Sequence, residues 1–139
     1  MRIMSIDQIN KFKPAIFDTV ILLGHNFGLF GDFKKAKMLL RKLYRITAPG
    51  VLIIAETLDP YKTNNPAHLG YHKLNRKRGR MSGQMKIRLR FSQYIGEWFD
   101  YLFVSKQEMQ EILKDSGWKI KKFIDYNNPT YTAIIEKEI

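Results

Sequence analysis

Two short runs of branched apolar residues, Val20-Ile21-Leu22-Leu23 and Val51-Leu52-Ile53-Ile54-Ala55, constrain this chain more than anything else in it. Neither run offers water a polar face, so both predict strands covered on two sides, as in the centre of a parallel sheet. Each run stops abruptly in polar groups, the first at Gly24-His25-Asn26 and the second at Glu56-Thr57. Between them, Asp32 is placed to cap a helix that carries Phe33, Ala36, Leu39, Leu40, Leu43 and Ile46 on one face and lysines and arginines elsewhere. Ala48-Pro49-Gly50 ends it, because proline cannot continue the hydrogen-bond ladder and glycine suits the exit turn. Strand, helix and strand with short joints make a βαβ unit, whose strands run parallel and whose crossover is right-handed. Both polar tips then fall on one carboxyl edge, where open α/β sheets bind their ligands.

On either side of this unit the pattern is weaker. Arg2 to Ile6 predicts a short strand ending at Asp7 and Gln8. Leu58 to Gly83 loses periodicity and gathers proline, asparagine and glycine, which predicts a long irregular insertion at the ligand edge. Lys86 to Phe91 alternates strictly and predicts a half-buried strand with a basic outer face. Ser105-Lys106-Gln107-Glu108 is a capping box, with Val104 and Met109 placed as a hydrophobic staple, so a helix starts there and runs toward Gly117. Trp118 to Ile124 and Tyr131 to Ile135, separated by Asn127-Asn128-Pro129, predict an antiparallel hairpin.

Composition narrows the chemistry. At 139 residues and 45% hydrophobic content the expectation is one domain. The absence of an 18-residue apolar run and of a signal-peptide pattern points to a cytoplasmic protein with no membrane partner. With no cysteine, thiolate nucleophiles and thiolate metal sites are excluded, and His25, His68 and His72 match no metal-ligand spacing. The net charge of +11 is concentrated: no acidic residue lies between Asp59 and Glu97, whereas Lys62, Lys73, Arg76, Lys77, Arg78, Arg80, Lys86, Arg88 and Arg90 do.

The element order, together with Phe17-Asp18-Thr19-Val20, Ala48-Pro49-Gly50-Val51 and Gly117-Trp118, resembles the carboxyl-terminal portion of class I S-adenosylmethionine-dependent methyltransferases. The resemblance implies an α/β fold with an incomplete Rossmann-like sheet, a parallel βαβ core plus a C-terminal antiparallel hairpin, in a single partial domain (1–139) with a basic insertion at about 58–96. It implies S-adenosyl-L-methionine as cofactor, with Asp7 and the Gln8 N–H at the adenine and Gly24, His25 and Asn26 at the methionine end. His25 becomes a candidate general base, because imidazole ordinarily titrates near neutrality. Tyr61, Tyr71 and His72 become candidate contacts to the methyl acceptor, expected to be anionic or RNA.

The family's first strand with its glycine-rich turn, and its second strand with the acidic residue for the ribose, have no counterpart: neither GxGxxG nor GxGxG occurs. The chain is therefore expected to be a fragment, a truncated reading frame or half of a split enzyme, completed by an N-terminal half or a second copy, and to bind the cofactor weakly or not at all alone. The alternative is a non-enzymatic nucleic-acid-binding module that uses the basic segment for phosphates and Tyr71, Phe91 or Tyr94 for stacking, although no RNA-recognition, KH or helix-turn-helix signature is present.

Overall fold

In the computed structural model, which describes residues 1–139, the two apolar runs form neighbouring parallel strands. They are β1 (Phe17–Leu22) and β2 (Thr47–Leu58), with Leu22 opposite Ala55. Helix α1 (Phe33–Ile46) joins them, and the Asp32 side chain accepts from the Lys35 N–H at 2.8 Å as its cap. β2 starts directly at Thr47, earlier than Ala48-Pro49-Gly50 suggests, and the ladder absorbs the extra residues in an irregularity between Phe17 and Thr19.

Along the rest of the chain come α2 (Pro66–Lys77), β3 (Gln84–Ile87), β4 (Arg90–Phe91), β5 (Tyr94–Ile95), β6 (Phe99–Leu102), α3 (Lys106–Leu113), β7 (Trp118–Asp125) and β8 (Thr130–Lys137). The hairpin of β7 and β8 is antiparallel as expected, and it completes a sheet of order β1-β2-β8-β7. β3 and β6 form a separate antiparallel ribbon, continued by the small β4–β5 hairpin. No helix is long and apolar enough to cross a membrane.

One face of the sheet carries the core. Val51, Ile53, Ala55 and Thr57 are buried and alternate along β2 with half-buried Leu52, Ile54, Glu56 and Leu58. Val51, Ile53 and Ala55 form one cluster with Leu39, Leu40, Leu43 and Ile46 of α1 and with Met109, Ile112 and Leu113 of α3. Each such large aliphatic side chain contributes about 2 kcal/mol on burial, which holds α1 in place although its outer face is basic. Trp118 Nε1 donates to the Leu40 carbonyl at 2.8 Å, and Lys137 Nζ donates to the Tyr44 and Thr47 carbonyls at 2.8 and 2.6 Å. A cation thus meets the negative end of α1 and fastens β8 to it.

Five expectations need correction. Lys86 to Phe91 is not one half-buried strand: β3 ends at Ile87, Arg88-Leu89 leave the ladder, and Arg90-Phe91 turn back onto Tyr94-Ile95 as an exposed hairpin, so Leu89 and Phe91 face water and not a core. β1 is not covered on both faces: Ile21 is 60% and Leu23 54% exposed, because both sheet-packing helices lie on the opposite face and no strand pairs with the outer edge of β1. Arg2 to Ile6 is not a strand. With no strand to pair against, Ile3 is exposed and Ile6–Lys11 forms a 3-10 helix capped by Ser5. The insertion is not irregular throughout, since α2 begins where Asn65 Oδ1 accepts from the Ala67 N–H at 2.9 Å and Pro66 occupies the first turn. Finally, α3 keeps its capping box but ends at Leu113, four residues before Gly117, and a turn with Asp115 and Gly117 at positive φ follows.

Candidate functional site

At the carboxyl edge of β1 the chain turns through two consecutive residues at positive φ, Gly24 at 65° and His25 at 63°. Glycine adopts this conformation freely, whereas histidine is strained there and must be held. Three groups hold it. The Glu56 carboxylate at the tip of β2 accepts from the His25 backbone N–H at 3.2 Å, and its Oε1 lies 3.6 Å from His25 Nε2. Thr130 Oγ1, at the start of β8, lies 3.1 Å from the same ring nitrogen. Tyr101 OH donates to the His25 carbonyl at 2.7 Å and lies 3.1 Å from Asn26 Oδ1. Glu56 and Thr130 therefore engage Nε2 and leave His25 Nδ1 without a hydrogen-bond partner, on a side chain that is one-third exposed.

Tyr101 reaches this turn because β6 lies against the 3-10 turn Asn26–Phe30, where Gly28 leaves room for its ring. A Cβ on Gly28 would stand 2.2 Å from Tyr101 Cε1. Burial, and then the nearby Glu56 charge, push the Tyr101 hydroxyl above the ordinary phenol range, so it stays protonated and acts as a donor. Phe103 stacks edge-on against both Tyr101 and His25.

Beside this turn opens a cavity of about 660 Å³. Leu58, Pro60, Met85 and Phe103 give it apolar walls, and Thr130 and Phe103 are shared with the His25 cluster. Tyr71 and His72 of α2 line it, as does His68, whose Nδ1 lies 3.0 Å from Thr63 Oγ1. His72 is nearly enclosed, and burial followed by the Arg76 charge holds its imidazole below the ordinary histidine range. Tyr61 points elsewhere: its hydroxyl donates to Glu108 Oε2 at 3.1 Å in a neighbouring hollow between Asp59 and Tyr131. Asp7 and Gln8 sit in the first 3-10 helix, apart from the His25 cluster, and the Asp7 carboxylate pairs with Lys35 at 3.1 Å.

Sequence reasoning placed Glu56 at the right edge without foreseeing its bond to His25. It missed Tyr101, Phe103, Thr130 and His68. The alternation Phe99-Tyr101-Phe103 was the available signal for the first two, and nothing local marks Thr130.

The arrangement suits a ligand that approaches backbone. A Cβ at Gly24 would meet nothing within 4 Å, so the turn presents open main chain beside a carboxylate-held imidazole. These features leave room for a ligand against the Gly24 main chain, and the sequence holds no GxGxxG or GxGxG turn beside it.

No protein-family model matches the sequence, and neither does any curated protein. Solved structures do match. An S-adenosylmethionine-dependent methyltransferase from Bacteroides fragilis, in complex with S-adenosyl-L-homocysteine, superposes with a TM-score of 0.73 at 21% identity, over 96% of this chain and 52% of that one. A Methanosarcina mazei methyltransferase gives 0.68 at 14% identity, over 95% and 65%. One from Clostridium acetobutylicum gives 0.57 at 10% identity, over 94% and 62%. The fold is methyltransferase-like, and the chain spans between half and two-thirds of the length of these structures.

Proposed function

We propose that this chain is the carboxyl-terminal portion of an S-adenosylmethionine-dependent methyltransferase, with the cofactor's methionine end against Gly24, His25 and Asn26 and the methyl acceptor in the cavity next to them. The observation that carries this reading is the Gly24-His25 turn, held at positive φ by Glu56 at the shared edge of two parallel strands, directly beside a half-open cavity with apolar walls. When bound, S-adenosylmethionine supplies an electrophilic methyl group. The chain's own residues align the acceptor and exclude water, which is most of what such a transfer requires. Glu56 fixes the His25 ring, and Nδ1 is the free basic atom that takes the acceptor's proton. Phe103, Met85 and Leu58 give the acceptor an apolar wall. Tyr71 and His72 contact the acceptor, with neutral His72 available as donor or acceptor of a hydrogen bond. Asp7 and Gln8 hold the adenine once Asp7 exchanges Lys35 for that ligand.

The remaining cofactor contacts come from the missing complement, an N-terminal half that adds a strand to the free edge of β1 and covers Ile21 and Leu23. The unpaired edge and half-exposed sheet face support this, since such edges are otherwise prone to self-association. Equilibrium dialysis with radiolabelled S-adenosylmethionine tests the site. The chain is expected to retain it weakly and Gly24→Val, which fills the open backbone at a positive φ, to retain none. Equal retention by both proteins, with the variant folded by circular dichroism, would exclude this placement of the cofactor.

A further inference from the structure

The ribbon and α2 carry a second feature, which the methyl-transfer reading leaves unused. Of the nine cations between Asp59 and Glu97, only Lys86 has a carboxylate within 4.0 Å, that of Asp100 at 3.3 Å; the other eight are unneutralised. They are spatially organised. Buried Asn75 donates to the Ser82 and Gln84 carbonyls at 3.0 and 2.8 Å, and Arg76 reaches Ser82 Oγ at 2.8 Å, so the basic end of α2 is fixed to the start of β3. Lys86 on β3, Arg88 in the two-residue break after it and Arg90 on β4 continue the positive charge along the chain. From Gln84 to Arg90 the path is at most about 20 Å, the length of a fully extended chain of that many residues. Roughly six nucleotides of a single strand cover that length.

Aromatic surface accompanies the charge. Phe91 is 80%, Tyr94 69% and Trp98 56% exposed, and Arg88 already lies over the Trp98 ring at 4.7 Å. Five of the nine cations are arginines, whose planar guanidinium matches phosphate and stacks on rings. A flat anionic membrane would reward a planar array of cations, whereas these run from the end of α2 through the turn after it to β3 and β4, past the cavity wall where Gly83 and Met85 stand.

We propose that this ribbon binds single-stranded nucleic acid, with phosphates along Arg76–Arg90 and bases stacked on Phe91, Tyr94 and Trp98. Its assignment as the acceptor strand rests on the methyltransferase reading; the binding itself does not.

Fluorescence anisotropy with a labelled twelve-nucleotide oligouridine, without cofactor, tests it on the 139-residue chain. If about five phosphates are contacted, log K falls against log salt with a slope of about −3.5. Arg88→Glu/Arg90→Glu makes the slope shallower by about 1.4 and weakens binding at least tenfold at low salt. Phe91→Ala/Tyr94→Ala weakens binding about tenfold with the slope unchanged, as loss of stacking requires. All these side chains are exposed, and each variant's circular dichroism is matched to the parent. Salt-independent binding, equal affinity for a duplex of the same length, or tighter binding to phosphatidylglycerol vesicles would overturn the proposal. Loss of cofactor retention with intact oligouridine binding would leave it standing and remove only the methyl-transfer reading.

Discussion

Replacing Gly28 by alanine tests the packing that holds the site together. Gly28 has a helical backbone, so alanine meets no conformational penalty there and gains slightly in propensity. Its new Cβ, however, would stand 2.2, 2.5 and 2.6 Å from three atoms of the Tyr101 ring. The ring cannot simply swing away, because its hydroxyl is held at the His25 carbonyl and it makes an edge-to-face contact with Phe103. Overpacking of this kind costs about 1–3 kcal/mol. Displacing the hydroxyl forfeits a further 0.5–1.5 kcal/mol, roughly the net worth of a hydrogen bond. The expected destabilisation is therefore about 2–4 kcal/mol in urea unfolding. A Tyr101→Ala background separates the causes: there the added methyl group should cost less than about 0.5 kcal/mol, as for independent sites. A neutral Gly28→Ala in the parent, or an undiminished cost in the Tyr101→Ala background, would refute the idea that Tyr101 clamps the His25 turn.

Other consequences follow from particular contacts. Ser105→Ala removes the acceptor for the Glu108 N–H and should cost about 1 kcal/mol in urea unfolding. Because Glu108 also accepts from Tyr61, Ser105→Ala should alter the Tyr61 near-ultraviolet signal, and Glu108→Ala, which removes that hydrogen bond outright, should alter it more. His72 is held below its ordinary range in the folded chain, so the unfolded chain binds more protons there. Its contribution to stability is present above the unfolded value of about 6.5 and is lost as pH falls from there toward the lowered folded value. Thermal unfolding between pH 7.5 and 5.0 should therefore show a steeper acid loss in the parent than in His72→Gln.

The βαβ unit was legible because every level agreed: apolar runs of strand length, an amphipathic helix with an aspartate cap, and a proline-glycine exit. The terminal hairpin and the capping box of α3 were legible for the same reason. α2 was missed because only His72 and Asn75 of its residues are buried, so it has no apolar stripe, and Asn65-Pro66 reads equally as a turn or as a helix start. The exposure of β1 could not be read from its residues, since a strand's own sequence does not state whether its neighbours are present. Of the site, the Gly24-His25-Asn26 edge was visible from the break in hydrophobicity. Its partners Tyr101 and Thr130 come from positions 76 and 105 residues away from His25 and are joined to it only by the fold.

On the proposed reading the nucleoside cofactor sits at this carboxyl edge, incomplete as the edge is. Amide proton–nitrogen correlation spectra titrated with S-adenosyl-L-homocysteine address it directly. Saturable shifts are expected at Gly24, His25, Asn26 and Glu56, with a dissociation constant of the order of a millimolar, about −4 kcal/mol. Shifts confined to residues away from these strand tips would contradict the placement, and micromolar affinity for the chain alone would contradict its incompleteness.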